Sequence, residues 1–456
     1  MVYTLSSLVL VMCLFSCEKY LQVDPPNDKL ETASAFVDST AASSVITGIY
    51  SDISNTNTGF LSFVTRLNGL AADEIKNPSV LLGQFQNNSV QVDNSQLNGV
   101  WVDFYKHIYQ ANAAIEGIQK APNITASAKG GLIGEAKFLR AFCFFYLVNL
   151  WGDVPLTTST DYRINEKMPR NSVVEVYGQI LDDLKSAQQS LPEQYLVAER
   201  VRANKYAATA LLARVYLYLK DWPNAEAEAT KLISNGSFLP LPSLASTFTK
   251  DSKETIWQIF PGYNILYNTY DGSFFVPSPS ASVIPQYTTT DQLNNSFEVG
   301  DNRKTSWIGN KVVSGVNYSY PFKYKLRSAT TPTTEYTVAL RLSEQLLIRA
   351  EARAQRNSLP EAIDDINLLR VRAGLTPLVR TISINKEDLL NVIYRERQVE
   401  LFAEWGHRWL DLKRLNKATE ILQPIKGANW QNTDVVWPIP VAQILTNPAL
   451  NQNSGY

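Results

Sequence analysis

The sequence predicts an all-α protein, a tetratricopeptide-like helical scaffold interrupted by one loop-rich, irregular insertion that carries a few short strands. Three observations carry that prediction. Apolar residues recur at spacings of three and four through most of the chain, the mark of helices with one buried face. Two helix-turn-helix units, at 204–236 and 338–374, have lengths near the ~34-residue period of tetratricopeptide-type repeats. Between them, from Pro261 to Leu340, the helical period stops, and Asn, Ser, Thr, Gly and Pro alternate with aromatics.

Leu5 to Phe15 is an apolar run broken only by Ser6 and Ser7, and it leads into Ser16-Cys17-Glu18-Lys19. Such a run is too short for a bilayer, which takes about 20 helical residues, and reads as the apolar stretch of a secretion signal. Ser16 is the small residue that precedes the modified cysteine of a lipobox. Residues 1–16 are therefore expected to be a lipoprotein signal peptide, Cys17 the lipidation site, and 17–30, with Pro25 and Pro26, an extended tether.

Helical signals follow at 35–51, with Phe36, Val45 and Ile49, and at 100–120, with Val100, Phe104, Ile108, Ala111, Ile115 and Ile118. The segment 132–151 is apolar around nearly its whole circumference from Leu139 onward, which demands burial on all sides. Gly152 supplies its C-cap and Pro155 cannot continue it. Ser172 and Glu175 make a capping box for a helix with the stripe Val173, Val176, Ile180 and Leu184, which Pro192 ends.

The first helix pair runs 204–220 and 223–235, with Ala207, Ala210, Ala213, Ala225 and Ala229 as the small residues that let paired helices approach closely. The second runs 338–356 and 360–373, with Ser358 and Glu361 as another capping box. The insertion between them, 261–340, holds 8 of the 22 tyrosines. Loops of that length in a compact protein are usually functional. Helical signals resume at 386–415, and Trp437-Pro438-Ile439-Pro440 reads as an extended closing segment.

The composition narrows the function classes. Forty-two basic residues against 43 acidic ones give a net charge of −1, a balance that selects neither nucleic acid nor an anionic surface. With two histidines and three cysteines the chain lacks the raw material of most metal and thiol chemistry. Glu404 and His407 have the Glu-x-x-His spacing of di-iron bundles, but His107 has no second such partner. Asp73 and Glu74 are candidates for a glycosidase carboxylate pair only in the sense that any acidic residue is. No Gly-x-Ser-x-Gly elbow and no phosphate-cradling glycine loop is present. No enzyme, cofactor or metal is predicted.

Several runs together resemble the SusD/RagB family of outer-membrane nutrient-binding lipoproteins. They are Gly134-Glu135-Ala136-Lys137-Phe138-Leu139-Arg140-Ala141-Phe142, continued by Leu147-Val148-Asn149-Leu150-Trp151-Gly152-Asp153-Val154-Pro155, and the run from Arg395-Glu396-Arg397 through Trp405-Gly406-His407-Arg408-Trp409 to Arg414. The opening phrase Cys17-Glu18-Lys19-Tyr20-Leu21 and the closing phrases Trp437-Pro438-Ile439-Pro440 and Leu450-Asn451-Gln452-Asn453 agree as well.

The resemblance implies a signal peptide (1–16), a tether (17–30), an N-terminal helical region (31–260), a ligand-facing insertion (261–340) and a C-terminal helical region (341–456). It implies a lipid-anchored, surface-exposed protein of the outer membrane that captures a glycan without catalysis and delivers it to a SusC-like TonB-dependent transporter, as in polysaccharide utilisation by Bacteroidetes. Sugars need flat aromatic faces for their C–H patches and polar side chains for their hydroxyls. The expected ligand-binding residues are Asp73, Asn77, Gln86 and Asn87 on an early loop and Tyr263, Tyr267, Tyr270, Phe275 and Trp307 in the insertion. Glu396, Glu400 and Glu404 are expected to form helix-surface or semi-buried ion pairs with Arg397, Arg408 and Arg414. The competing readings are a helical-repeat adaptor for a protein or peptide, and a family member with peptide or glycopeptide cargo.

Overall fold

The computed structural model describes residues 35–54, 59–77, 80–262, 266–380 and 383–456. The expected signal peptide, Cys17, the tether and Tyr263 lie outside the described residues.

The chain begins with α1 (Ser39–Ser54) and α2 (Phe60–Ala71), the two-residue strand β1 (Ile75–Lys76) and α3 (Val80–Gln86). Two long helices follow, α4 (Ser95–Lys120) and α5 (Ala126–Trp151). The side chain of Asn94 accepts the Leu97 N–H at the start of α4, and Thr125 accepts the Ala128 N–H at the start of α5. Every residue of α5 from Phe138 to Val148 is buried, as its all-round apolarity requires. A short helix, α6 (Tyr162–Asn165), leads to α7 (Val173–Ser190), where Ser172 and Glu175 do form the capping box. Gly134 is what lets α5 and α7 approach: a Cβ there would stand 2.5 Å from Ser190 Oγ.

The first expected pair is α8 (Lys205–Tyr218) with α9 (Trp222–Ser234), capped by Asn204 and Asp221, with its five alanines fully buried. The insertion is bounded at its start by β2 (Thr255–Ile259). It then carries α10 (Tyr270–Phe275), β3 (Thr288–Thr289), α11 (Asp291–Ser296), α12 (Asn302–Trp307) and the hairpin of β4 (Ile308–Val313) and β5 (Val316–Pro321). That hairpin turns on Ser314 and Gly315, at φ +51° and +79°, the left-handed pair a two-residue loop needs. β6 (Thr337–Arg341) closes the insertion by pairing antiparallel with β2, so the segment leaves and rejoins the scaffold side by side.

The second helix pair differs from its expected start. Thr337–Arg341 is strand, because Thr337 and Val338 fill the ladder opposite Ile259 and Gln258, and all five residues are buried. The helix α13 (Leu342–Gln355) begins only where Glu254 accepts the Ser343 N–H at 3.1 Å. α14 (Leu359–Arg372) follows without the capping box expected of Ser358 and Glu361. Glu361 instead pairs with Arg380 at 3.3 Å. α9 packs directly on α13, so two pairs far apart in sequence are neighbours in one helical stack: α4, α5, α7, α8, α9, α13, α14.

The expected helix 386–415 is two helices, α15 (Lys386–Leu401) and α16 (His407–Arg414). Between them Ala403, Trp405 and Gly406 adopt φ of +49°, +49° and +75°. At Gly406 a Cβ would lie 2.5 Å from Asn68 Cβ, so α2 packs where only a hydrogen fits. α17 (Ala418–Lys426) and α18 (Val441–Thr446) complete the chain. The extended segment before α18 locks the end of α5: Trp437 N–H donates to Leu150 O at 2.8 Å and Trp151 Nε1 to Pro438 O at 2.9 Å.

Candidate functional site

Pairing of β1 with β3, in the register Ile75 to Thr289 and Lys76 to Thr288, joins the early loop to the insertion. Thr290 N–H donates to Glu74 O at 3.0 Å, and the Thr290 hydroxyl donates to Asp73 O. The two walls expected from the sequence therefore meet.

Their candidate residues divide by burial. On the early wall Asn87 is exposed and Gln86 half-buried, and the Gln86 side chain accepts the N–H of buried Asn77 at 2.7 Å. Asp73, only 3% exposed, is engaged by both Nε and Nη2 of Arg408, at 2.7 and 2.8 Å. It braces α16 instead of facing a ligand. Glu74 lies beside it, 1% exposed, and burial together with the Asp73 charge pushes its carboxyl up to about 8. These two acids are the pair a glycosidase reading would use, and protein encloses both.

In the insertion, Tyr267 is half-buried, its ring 4.8 Å from that of Tyr270. Tyr270, Phe275 and Trp307 are buried, a correction to the exposed shelf expected of them. Tyr270 donates to Ser54 O at 3.4 Å, Phe275 packs edge-on against Tyr287 at 5.5 Å, and Trp307 Nε1 donates to Leu244 O at 2.9 Å. Each gains more by packing, since a loop-rich segment without long ladders must make its core from its own large side chains.

A second arrangement escaped the sequence reading. Arg66 of α2 holds its guanidinium 3.6 Å from the ring centre of Phe274 and 4.6 Å from that of Phe63, both rings half-buried. Nη1 donates to Tyr287 OH at 3.0 Å, while Ser62 accepts from Nε and Nη2. Asp271, beside Thr65 and near Arg66, is pushed up to about 7 by burial. The only sequence signal was the Phe60 to Arg66 run, which lies in a helix that periodicity did not single out.

The insertion is held to the scaffold by buried charge. Glu396, Glu400 and Glu404 do not pair with Arg397, Arg408 and Arg414 as expected, because they point into the protein and meet cations from other elements. Arg303 of α12 contacts Asp301, Glu396 and Glu400 at 2.8 to 3.2 Å. Arg341 reaches Glu400 and Glu404 at 2.7 and 2.8 Å, and Lys323 reaches Glu404 at 2.5 Å. Burial alone would raise Glu400, but Arg372, Arg341 and Arg303 hold it well below the usual carboxylate range. Arg397 and Arg414 instead share Asp411. Glu404 is thus committed to cations, and buried His407 is kept neutral by desolvation and surrounding guanidinium groups. Among the described residues no group of three or more His, Cys, Asp or Glu side chains is placed to hold a metal ion.

Two family models match in tandem. Residues 19–217 match one described as "Starch-binding associating with outer membrane", and residues 247–456 match that of the SusD family. SusD-like protein P38 of Formosa agariphila is 28% identical over 425 residues, spanning 81% of this chain and 82% of the relative. A crystal structure of a SusD superfamily protein from Bacteroides vulgatus superposes with a TM-score of 0.82 at 21% identity, over 92% of this chain and 99% of the other. A laminarin-binding SusD-like protein superposes with a TM-score of 0.72 at 22% identity, over 91% and 99%.

Proposed function

Because this chain belongs to the SusD/RagB family, we propose that it is a non-catalytic glycan-binding lipoprotein of the outer membrane, which captures an oligo- or polysaccharide and passes it to a SusC-like TonB-dependent transporter. The family description names starch binding and the outer membrane, and one structural relative is called laminarin-binding, so a neutral glucan is the first ligand class to try.

The observation that carries the reading is the junction of the early wall with the insertion through β1 and β3. Half-buried Phe63 and Phe274, gathered by Arg66 with Tyr287 just before β3, and half-buried Tyr267 elsewhere in the insertion offer ring surface. Gln86 and Asn87 offer amides for hydroxyls, while Asn77, 2% exposed, is enclosed behind Gln86. Phe275, packed on Tyr287 just before β3, and Asp73, whose carbonyl accepts from Thr290, support this face from inside, whereas Tyr270 and Trp307 are buried elsewhere in the insertion. Capture of this kind works at micromolar to millimolar Kd, about −8 to −4 kcal/mol. Cys17 lipidation keeps the protein beside its transporter, so tighter binding would only slow release.

The test is titration of protein beginning after Cys17 against neutral and acidic polysaccharides by calorimetry. Saturable binding of at least one glycan is the expected result. Absence of binding across the panel, with the protein folded, overturns the reading.

A further inference from the structure

The sequence placed its exposed aromatic shelf in the insertion, yet two strongly exposed tyrosines stand elsewhere. Tyr109 on α4 is 54% exposed and Tyr162 on α6 is 72% exposed. Both line one groove of about 420 Å³ between α4, the 155–166 segment and the stretch from Gln443 through the end of α18 to Leu450. Its inner wall includes Trp101 and Tyr105, ring centres 5.0 Å apart, and the Tyr105 hydroxyl donates to Pro155 O at 2.9 Å, which fixes that ring. No described residue of the insertion or of the early wall lines this groove.

Its chemistry is specific. Among the described residues, Glu166 is the only charged one lining it, and neither Lys nor Arg is there to hold an anion. Asn165 donates through Nδ2 to Ser159 O at 2.7 Å, but its buried Oδ1 receives no hydrogen bond from the described residues. That oxygen is enclosed by protein, so the chemistry a ligand can reach is that of the rings and of the uncharged polar side chains around them. Flat exposed rings, a rim of uncharged polar side chains such as Thr157, Gln443 and Thr446, and no cation together suit a sugar ring better than an acidic polymer or the apolar core of a protein interface.

We propose that this groove is a second carbohydrate site, which takes a neutral glycan with a sugar ring over Tyr109 or Tyr162. The proposal rests on the glycan-binding reading above and adds a location that reading does not use. A long chain that engages both sites gains effective concentration at the second, whereas a short oligosaccharide does not.

The experiment compares wild type, Tyr109→Ala/Tyr162→Ala and Tyr267→Ala for binding to a polysaccharide and to a short oligosaccharide of the same sugar. Tyr109 and Tyr162 are solvent-facing, so the double variant is expected to melt with wild type. The double variant is expected to lose about tenfold in polysaccharide affinity. Affinity within about twofold of wild type on every glycan that wild type binds would overturn the second site alone. If that retention came with lost self-association in sedimentation, the groove would belong to a second copy of the chain and the carbohydrate assignment would fall. Failure of wild type itself to bind any glycan would overturn the parent reading as well, which separates the two failures.

Discussion

Tyr267 and Trp307 share an insertion and a flanking composition, yet their side chains do different work. Trp307 is fully buried with its indole N–H bonded to Leu244 O. Trp307→Ala is expected to lower stability by about 3–5 kcal/mol, as large-to-small core changes do, visible as a lower urea midpoint with glycan affinity per folded molecule retained. Tyr267→Ala is expected to do the reverse, weakening glycan binding about tenfold, or 1.4 kcal/mol, with a thermal midpoint close to wild type. Glu74 gives a third test. Burial and the neighbouring Asp73 charge push its carboxyl from the ordinary 4.5 up to about 8, so the folded state holds a proton that the unfolded state has lost between those values. That contribution is complete below about pH 4.5 and is lost as pH rises through 8. Glu74→Gln should therefore show a shallower fall in stability from pH 5 to pH 8, measured by urea denaturation at each pH. An unchanged slope would contradict the assignment.

At the scale of elements, helices whose signals are local were legible and those whose limits depend on distant partners were not. The Ser172 and Glu175 capping box forms because both residues lie on the helix end they cap. Ser358 and Glu361 have the same spacing, but Glu361 is drawn to Arg380, which spacing does not encode. The start of α13 was placed too early because Thr337–Arg341 reads as apolar helix until β2 is known to lie beside it. The break between α15 and α16 was hidden in a run of helix-forming residues, where Gly406 was the one mark. Its φ of +75° and the nearby Asn68 make Gly406→Ala a sharp test. The added Cβ should cost on the order of 1–3 kcal/mol from backbone strain alone, read as a lowered thermal midpoint. The candidate site was legible as two regions, though not as to which aromatics face outward. Composition locates a loop-rich aromatic segment, whereas burial is decided by how that segment folds back on itself.

Across the whole molecule, the helix pairs α8–α9 and α13–α14 are contiguous through α9 and α13, and the chain between them is tied down by buried charge. Arg303 joins α12 to Glu396 and Glu400 of α15 with its side chain wholly enclosed. Removing one partner from such a cluster leaves charge buried without compensation, at about 3–5 kcal/mol. Arg303→Leu should therefore lower the urea midpoint and speed amide exchange first in α12, β4 and β5. Equal acceleration throughout the fold would show that the network serves global stability and not the seating of the insertion. On the lipoprotein reading proposed above, Cys17→Ala should shift the protein from the membrane pellet to the soluble fraction, since an acyl chain contributes about 0.8 kcal/mol per buried CH₂.

The antiparallel contact of β2 with β6 has an evolutionary corollary. A segment whose two ends emerge next to each other can lengthen, shorten or change its lining without altering the distance its anchors must span, so loop-closure entropy changes only slowly with its length. Selection for a new nutrient can then act on the cassette while the helical stack is inherited intact. A chimera that carries a relative's segment on this β2 and β6 base, with the residues facing Glu396, Glu400 and Glu404 kept, is the natural starting point for transferring ligand preference between such proteins.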